Sequence, residues 1–427
     1  MDPEPNILSS ALTPLPSSGP IVATNPIKSE FACSEDQTSS SVEGYLDSAA
    51  TTPVPNVIAD EVARVLREGF GNPGRGGHTR AISAAARIEE ARRAVAGLLG
   101  NVDFNEVVFT RNATAGIDLV RRCWAEPMLG AGSAIVTTRL EHHSNILPWM
   151  QIAERSEVEL RIAGIDSRGD LDLDHLRKLL VEGGVGLVAV TAVSNVHGGT
   201  VDLEAVVSLA AEHGARVLVD ASQCMAHRPL LPRKLGCDFL VFSGHKMYAP
   251  PGVGVLWASS QAMQEMRSGP VGGGSVDWND EEPSWREGPE LFEPGTPSSD
   301  SIAGLAAAIE WRRRMSEVDP GLQDREHSLL RRAEAIVEET PELSIAGTPS
   351  RRTGCLAFST GTIDPNEFAA FLDAEGIMVR AGHLCASPLV RTFDPRGLVR
   401  ISIGCFNDEK DLDRFEDAVQ VACSILA

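Results

Sequence analysis

No two of the eight cysteines (33, 123, 224, 237, 355, 385, 405 and 423) are spaced C-x-x-C, which excludes a zinc knuckle and a thioredoxin-type redox motif. Eight cysteines in 427 residues are also too sparse for a disulfide scaffold. Most lie in apolar runs such as AVQVACSILA around Cys423, where buried free thiols are ordinary. No HExxH or paired His/Cys spacing supports a metal. No apolar run approaches the ~20 residues of a membrane span. The N-terminus lacks the basic-then-apolar layout of a secretory signal, so a reducing cytoplasm is the expected location. Positive charge is scarce as well: 38 Lys and Arg face 59 Asp and Glu, a net −21. Nucleic-acid binding needs a basic face to replace counterions, and no Lys/Arg run supplies one. An acidic enzyme, a basic protein partner and simple solubility all remain open.

What is present reads as an ordinary globular chain, 43% hydrophobic and 23% charged. Its length suggests two or three folding units at ~150 residues each. Residues 1–44 stand apart, with six Pro, nine Ser, no Arg and a net −5. Such a segment cannot bury enough apolar surface to offset its ordering entropy, so disorder is expected there. From Tyr45 the chain alternates short β-branched runs (106–110, 134–138, 187–193, 216–220, 239–242 and 253–257) with helical patterns such as 202–213. Strands buried on both faces and joined by helices imply an α/β fold on a mostly parallel sheet, here assigned to 45–300. Residues 301–427 change texture. Two long helical stretches (301–316 and 321–339), strands at 354–359, 376–380 and 399–403 and a last helix at 408–425 form a smaller α+β unit. The stretch 277–293 carries seven acids, one Arg, two Pro and two Trp, and reads as a loop or exposed hairpin.

Ligands in parallel sheets bind at the C-terminal strand ends, and four of those ends carry chemistry. SGHKMYAPPGVG (243–254) follows the FLVF strand and places Lys246 where a buried ammonium is costly unless used. A Ser, a His and a Gly-rich turn around it suit a Schiff-base lysine beside an anion cradle. The strand RVLV ends in DASQ, so Asp220 and Gln223 share that edge. A carboxylate there pairs with a pyridinium nitrogen, the electron-sink requirement of pyridoxal phosphate. TRNATAGID (110–118) opens a helix whose N–H groups and Thr114 hydroxyl meet a phosphate. LEHHSN (140–145) adds an imidazole. NPGRGGH (72–78) lacks the lysine and the preceding strand of a phosphate loop and reads as a substrate-side loop. His175, His197, His213 and His327 read as surface or internally satisfied side chains.

YLDSAATTP (45–53), EHHSN, SNVHG (194–198), VDASQ, SGHKMYAPPGVG, FEPGTP (292–297), RAGHLCASPL (380–389) and RISIGCFN (400–407), in this order, resemble the cysteine desulfurases of the class V aminotransferase fold (PLP fold type I). The chain is most similar to the SufS-type group II branch with its selenocysteine lyases. The resemblance spans 45 to about 420 and implies an aspartate aminotransferase-like large domain with a smaller C-terminal domain. It implies that Lys246 binds pyridoxal phosphate and moves the α-proton, that Asp220 pairs with the pyridinium, and that Gln223 bonds the phenolic oxygen. His142 would stack on the ring and transfer protons. Thr114, Ser243, His245 and, across a homodimer, Thr296 would hold the phosphate. Arg400 would clamp the substrate carboxylate with help from Asn195, with His78 and Arg380 near the substrate. A guanidinium suits that task through its forked donors.

Cys385 is the implied nucleophile. It lies in a turn bounded by Gly382 and Pro388 rather than in an apolar run, beside His383, Arg380 and Arg391, which favour a thiolate. The implied reaction turns L-cysteine into L-alanine and leaves a persulfide on Cys385 for a sulfur-acceptor protein, as in iron–sulfur cluster assembly. The alternative is C–S lysis of a cysteine conjugate or sulfoxide, or an epimerisation, with Cys385 dispensable. The loop reads GHLCASPL where the family usually reads GHHCAQPL, so Leu384 removes one proton donor beside the nucleophile. Ala221–Ser222 replaces the usual Gly-Ala, and Ala113 stands where a second Thr is common.

Overall fold

Apolar β-branched runs build a seven-stranded sheet in the computed structural model, which describes residues 25, 27–31, 42–68, 71–73, 76–267, 269, 271–278, 282 and 284–426. The strands are β1 (Val107–Thr110), β2 (Ala134–Thr138), β3 (Glu159–Ala163), β4 (Val185–Thr191), β5 (Arg216–Asp220), β6 (Phe239–Ser243) and β7 (Gly254–Ala258), in spatial order β1-β7-β6-β5-β4-β2-β3. All neighbours pair parallel except at β7, which is antiparallel to both β1 and β6. Two antiparallel steps cancel in direction, so β1, β2, β4, β5 and β6 all point their C-terminal ends to one edge. The mostly parallel mixed sheet expected from the sequence is the sheet observed. β3 was not anticipated. It is an edge strand whose polar Glu159 and Arg161 break the apolar run, and only Ala163 is fully buried.

Helices cover the sheet. α1 (Asn56–Glu68) and α2 (Thr79–Leu98) pack with the long helix Ser299–Val318. That helix begins at the expected boundary between the two units, yet its contacts place it on the first. The second unit holds a four-stranded antiparallel sheet, β10 (Ser344–Ile345), β11 (Cys355–Ser359), β12 (Arg380–Gly382) and β13 (Leu398–Ser402), ordered β10-β11-β13-β12. The strand expected at 376–380 is shorter and later, since pairing to β13 starts only at Arg380. Helices Leu322–Glu338 and Glu409–Leu426 flank this sheet. Within the acidic 277–293 stretch, β8 (Val276–Asp277) pairs with β9 (Ser284–Trp285) and displays Trp278 and Trp285, 63% and 52% exposed, while Gly288–Phe292 turns back as a 3-10 helix that buries Phe292. No helix of the described residues is long and apolar enough to cross a membrane.

Two segments tie the units together. Residues 45–47 join the second sheet through Tyr45–Met378 and Asp47–Ser402 bridges, while Thr52 N–H donates to His245 O beside β6. The expected disorder of 1–44 does not extend to 27–31, and residues 1–24, 26 and 32–41 lie outside the described residues. Asn25 Nδ2 donates to Cys405 O (2.7 Å) and Asn407 O (3.0 Å), and Lys28 pairs with Asp408 and Asp411. Phe31, 4% exposed, meets Phe406 at 5.1 Å and Trp311 edge-on at 5.7 Å between ring centres. Average composition hides this, because five residues with a few well-placed anchors suffice to order a short stretch. Phe31→Ala is expected to cost about 3–5 kcal/mol of unfolding free energy, read by chemical denaturation. A loss below about 1 kcal/mol would show that the strap contributes nothing.

Candidate active site

The common strand edge gathers the reactive groups. β6 runs into a turn that carries His245 and Lys246, with Ser243 Oγ accepting from Ala113 N–H (2.9 Å) at the start of α3 (Ala113–Val120). Asn112 caps α3 by accepting from Ala115 N–H. Gly254 of β7 faces this start so closely that a Cβ would lie 2.5 Å from Asn112 Cα, and only glycine fits there. A helix start of this kind, with hydroxyl groups at hand, accepts a phosphate. Thr114 Oγ1 lies 2.8 Å from Ser144 Oγ, linking the cradle to the turn after β2. In that turn Ser144 N–H donates to His142 Nδ1 (3.1 Å), which places the proton of neutral His142 on Nε2.

Electrostatics single out one carboxylate. Asp220, at the end of β5, is 6% exposed and accepts from Ser222 N–H (2.9 Å). Among the described residues no cation lies within ion-pair distance of it. Burial, then Lys246, pushes His142 and His245 down to about 4. Burial also lowers the Lys246 ammonium, with Asp220 opposing and Arg400 assisting. The groups around Asp220 are thus held neutral or destabilised as cations.

Sequence reasoning passed over Glu141, a fully buried carboxyl that accepts from Thr138 Oγ1 (2.6 Å), Asn145 Nδ2 (2.6 Å) and Thr191 N–H (3.0 Å). It joins β2, β4 and the His142 turn, and burial pushes its pKa up to about 8. Asp47 was passed over too. Its Oδ1 accepts from Arg400 Nη2 (2.8 Å) and its Oδ2 from Arg380 Nε (3.0 Å) and Nη2 (2.5 Å). Both acids sit inside motifs quoted whole above. The available signal was an acid wedged between apolar or small residues, as in YLDSAA and LEHH.

The nucleophile loop docks on the same edge. His143 N–H donates to Cys385 O (2.7 Å), Ser387 N–H donates to His143 Nε2 (3.2 Å), and Asn195 Nδ2 donates to Leu384 O (2.7 Å). Leu384 and Cys385 both have φ of +52°, a left-handed pair that non-glycine residues adopt only when their surroundings enforce it. The Leu384 side chain is buried in the core, so that position seats the loop. Read from the sequence it was a lost proton donor beside the thiol. Cys385 itself is exposed, unlike the six other described cysteines.

The structure therefore brings together Lys246, Asp220, His142, Ser243, His245, Thr114, Asn195, Arg400, Arg380 and Cys385. Gln223 lies at the edge with one amide N–H donated to Ala49 O (2.8 Å). His78 caps α2, its Nδ1 accepting from Ala81 N–H, and no hydrogen bond joins it to the site. Thr296 is exposed ahead of the helix Ser299–Val318, and among the described residues no hydrogen bond joins it to its own chain's cradle. His197 is a satisfied core histidine, between Gly169 O and Gly199 N–H.

The donor set fits pyridoxal phosphate. The buried atoms Asn195 Oδ1, Ser222 Oγ and Arg400 Nε have no hydrogen-bond partner among the described residues, as expected where a polar ligand completes the site. Asp220 would face its ring nitrogen, Ser243, His245, Thr114 and the α3 start its phosphate, and Lys246 its aldehyde carbon.

Residues 44–415 match the family model for class-V aminotransferases. The chain is 36% identical over 396 residues to a cysteine desulfurase of Klebsiella pneumoniae (strain 342), covering 92% of this chain and 97% of that one. The solved cysteine desulfurase CsdA from Escherichia coli is similar with a TM-score of 0.85 and 30% identity, covering 94% and 98% of the two chains. The apo cysteine desulfurase from Thermococcus onnurineus NA1 gives 0.82 and 32%, covering 89% and 94%.

The shifted groups predict a stability optimum. His142, His197 and His245, all pushed to about 4, are neutral in the fold and protonated when unfolded below their ordinary value near 6.5. Their contribution is full above that value and is lost as pH falls toward 4. Glu141, raised to about 8, acts in the opposite sense, so its contribution is lost as pH rises toward 8. Thermal unfolding of the cofactor-free protein is expected to peak near the histidine value. The decline on the alkaline side should flatten in Glu141→Gln, and an unchanged slope there would refute the assignment.

Proposed function

The chain belongs to the class-V aminotransferase family as a pyridoxal-phosphate-dependent cysteine desulfurase, and on that premise we propose that it converts L-cysteine to L-alanine with Cys385 Sγ as the sulfur acceptor. The observation that carries the reading is the docked loop. Three hydrogen bonds and two left-handed residues hold an exposed thiol against the edge that carries Lys246, His142 and Asp220. A cysteine with no role needs no such mounting.

Bound pyridoxal phosphate supplies an electron sink that loosens the Cα proton of an amino acid and polarises its Cβ–S bond. Arg400, buried and held by Asp47 and Asn195 O, presents its remaining N–H donors to the substrate carboxylate. Lys246 Nζ, its ammonium form disfavoured by burial, carries the proton at Cα. His142, neutral with its proton on Nε2, holds the opposite face and shuttles a proton there. The Cys385 thiolate attacks the substrate sulfur: an S–S bond forms, the Cβ–S bond breaks, and its electron pair returns to carbon as a C–H bond of alanine. The enzyme keeps a persulfide and no outside oxidant is needed. L-Selenocysteine fits the same course.

The persulfide then passes to an acceptor protein, with iron–sulfur cluster assembly as the consuming process. We assign a homodimer in which Thr296 of each chain serves the other's phosphate cradle, because Thr296 is exposed and unused in its own chain. A free nucleophilic thiol suits a reducing cytoplasm.

Sulfide and alanine release from L-cysteine with a reductant tests the mechanism. Cys385→Ser is expected to lose at least about 100-fold in turnover, and unchanged turnover would sink it. Pyruvate and ammonia in place of alanine would instead favour β-elimination from a cysteine conjugate. Lys246→Ala is expected to lose both turnover and the cofactor's visible absorbance band, and a retained band would place the cofactor link elsewhere.

A further inference from the structure

Four non-glycine residues among the described ones have a left-handed backbone: Asn101, Tyr248, Leu384 and Cys385. Two of them form the nucleophile loop. Tyr248 lies two residues past Lys246, is the only aromatic of the four, and has φ of +71°. A ring-bearing residue keeps such a conformation only where its surroundings over-determine it. At the lysine turn they do.

The Tyr248 side chain is fully buried, with Trp311 at 5.1 Å and Phe31 at 6.2 Å between ring centres and the Arg312 guanidinium 5.7 Å over its face. That packing alone would accept a phenylalanine. Two polar contacts do more. Tyr248 N–H donates to Thr52 Oγ1 (2.7 Å), and the same hydroxyl donates to His245 O (3.1 Å), so one threonine spans the turn on both sides of Lys246. The phenolic oxygen accepts from Cys405 N–H (2.9 Å). Cys405 follows β13, the strand that carries Arg400, and its carbonyl accepts from Asn25 Nδ2 (2.7 Å) and Arg325 Nη2 (3.1 Å). The Cys405 peptide is therefore held on both sides, and the Tyr248 hydroxyl makes it a fixed point for the lysine turn of the other unit.

We propose that Tyr248 is a positioning residue whose hydroxyl ties the lysine turn to the strand carrying Arg400, so that Lys246 Nζ stays aligned on the Cα proton of a substrate whose carboxylate Arg400 grips. The inference rests on the reading of Lys246 as the proton carrier and of Arg400 as the clamp. Two groups from different units act on adjacent carbons of one small molecule, and a misplacement on the order of 1 Å is costly in rate. Loss of the phenolic oxygen leaves the ring packed and the clamp intact, and frees the turn to shift.

Exchange of the Cα proton of L-alanine in deuterated buffer, followed by NMR on the holoenzyme, reads this step without the thiol. Tyr248→Phe is expected to lower the exchange rate at saturating alanine about tenfold. Alanine affinity should stay within twofold of wild type, and the induced circular dichroism of the cofactor's visible band should change. Val419→Ala, in the core of the second unit, serves as a variant destabilised elsewhere and is expected to exchange at the wild-type rate. An exchange rate for Tyr248→Phe within twofold of wild type, an unchanged dichroism, or an equal loss in Val419→Ala would overturn the proposal. Lys246→Ala and Arg400→Leu separate the premise: exchange that persists in the first, or alanine affinity intact in the second, defeats the reading of that residue whatever Tyr248 does.

Discussion

A buried carboxylate without a cation is the constraint to which the rest of the site answers. Asp220 lies buried under the sheet edge, where it accepts from Ser222 N–H and makes no ion pair among the described residues. Every titratable neighbour is arranged so as not to discharge it internally. His142 and His245 are held neutral, burial weakens the Lys246 ammonium, and burial keeps a proton on Glu141. The proposed cofactor would set its protonated ring nitrogen opposite this carboxylate.

The convergence depends on two features of the backbone. Parallel pairing sets the ends of β2, β4, β5 and β6 at one level, and the antiparallel β7 restores β1 to the same direction. The segment 45–53 then crosses between the units. Its Thr51 and Thr52 hydroxyls both donate to His245 O, Thr52 Oγ1 accepts from Tyr248 N–H, and Asp47 reaches the second sheet. The lysine turn, Arg400 and the thiol loop come from distant parts of the chain. One extended segment sets their spacing.

Much of this was legible in the sequence because burial leaves a local trace. Fully buried strands read as apolar β-branched runs, and reactive residues directly after them mark the site. Cys385 stood out for lacking such a run. What escaped notice is non-local. β3 is an edge strand with one fully buried residue, and residues 27–31 are ordered by partners near 311 and 405–411. Nothing adjacent to Asp47 or Glu141 tells that one bridges two arginines and the other three strand-end elements. Leu384 misled for a related reason, since the direction of a side chain in a loop follows from its φ, which residue type alone does not reveal.

The acidity of the chain can now be weighed against its chemistry. A net −21 would repel an anionic substrate, yet the proposed substrate is a zwitterion with no net charge, so long-range steering neither helps nor hinders it. Screening also limits the exterior to within about 8–10 Å of a surface group at ordinary ionic strength. Part of the excess sits on the exposed hairpin and the turn after it, where Arg286 pairs with Asp277 and Glu290. Selection by charge is then left to the proposed site, where Asp47 pairs with both Arg400 and Arg380. That contact is local, which lets the exterior carry whatever charge an acceptor protein or solubility requires.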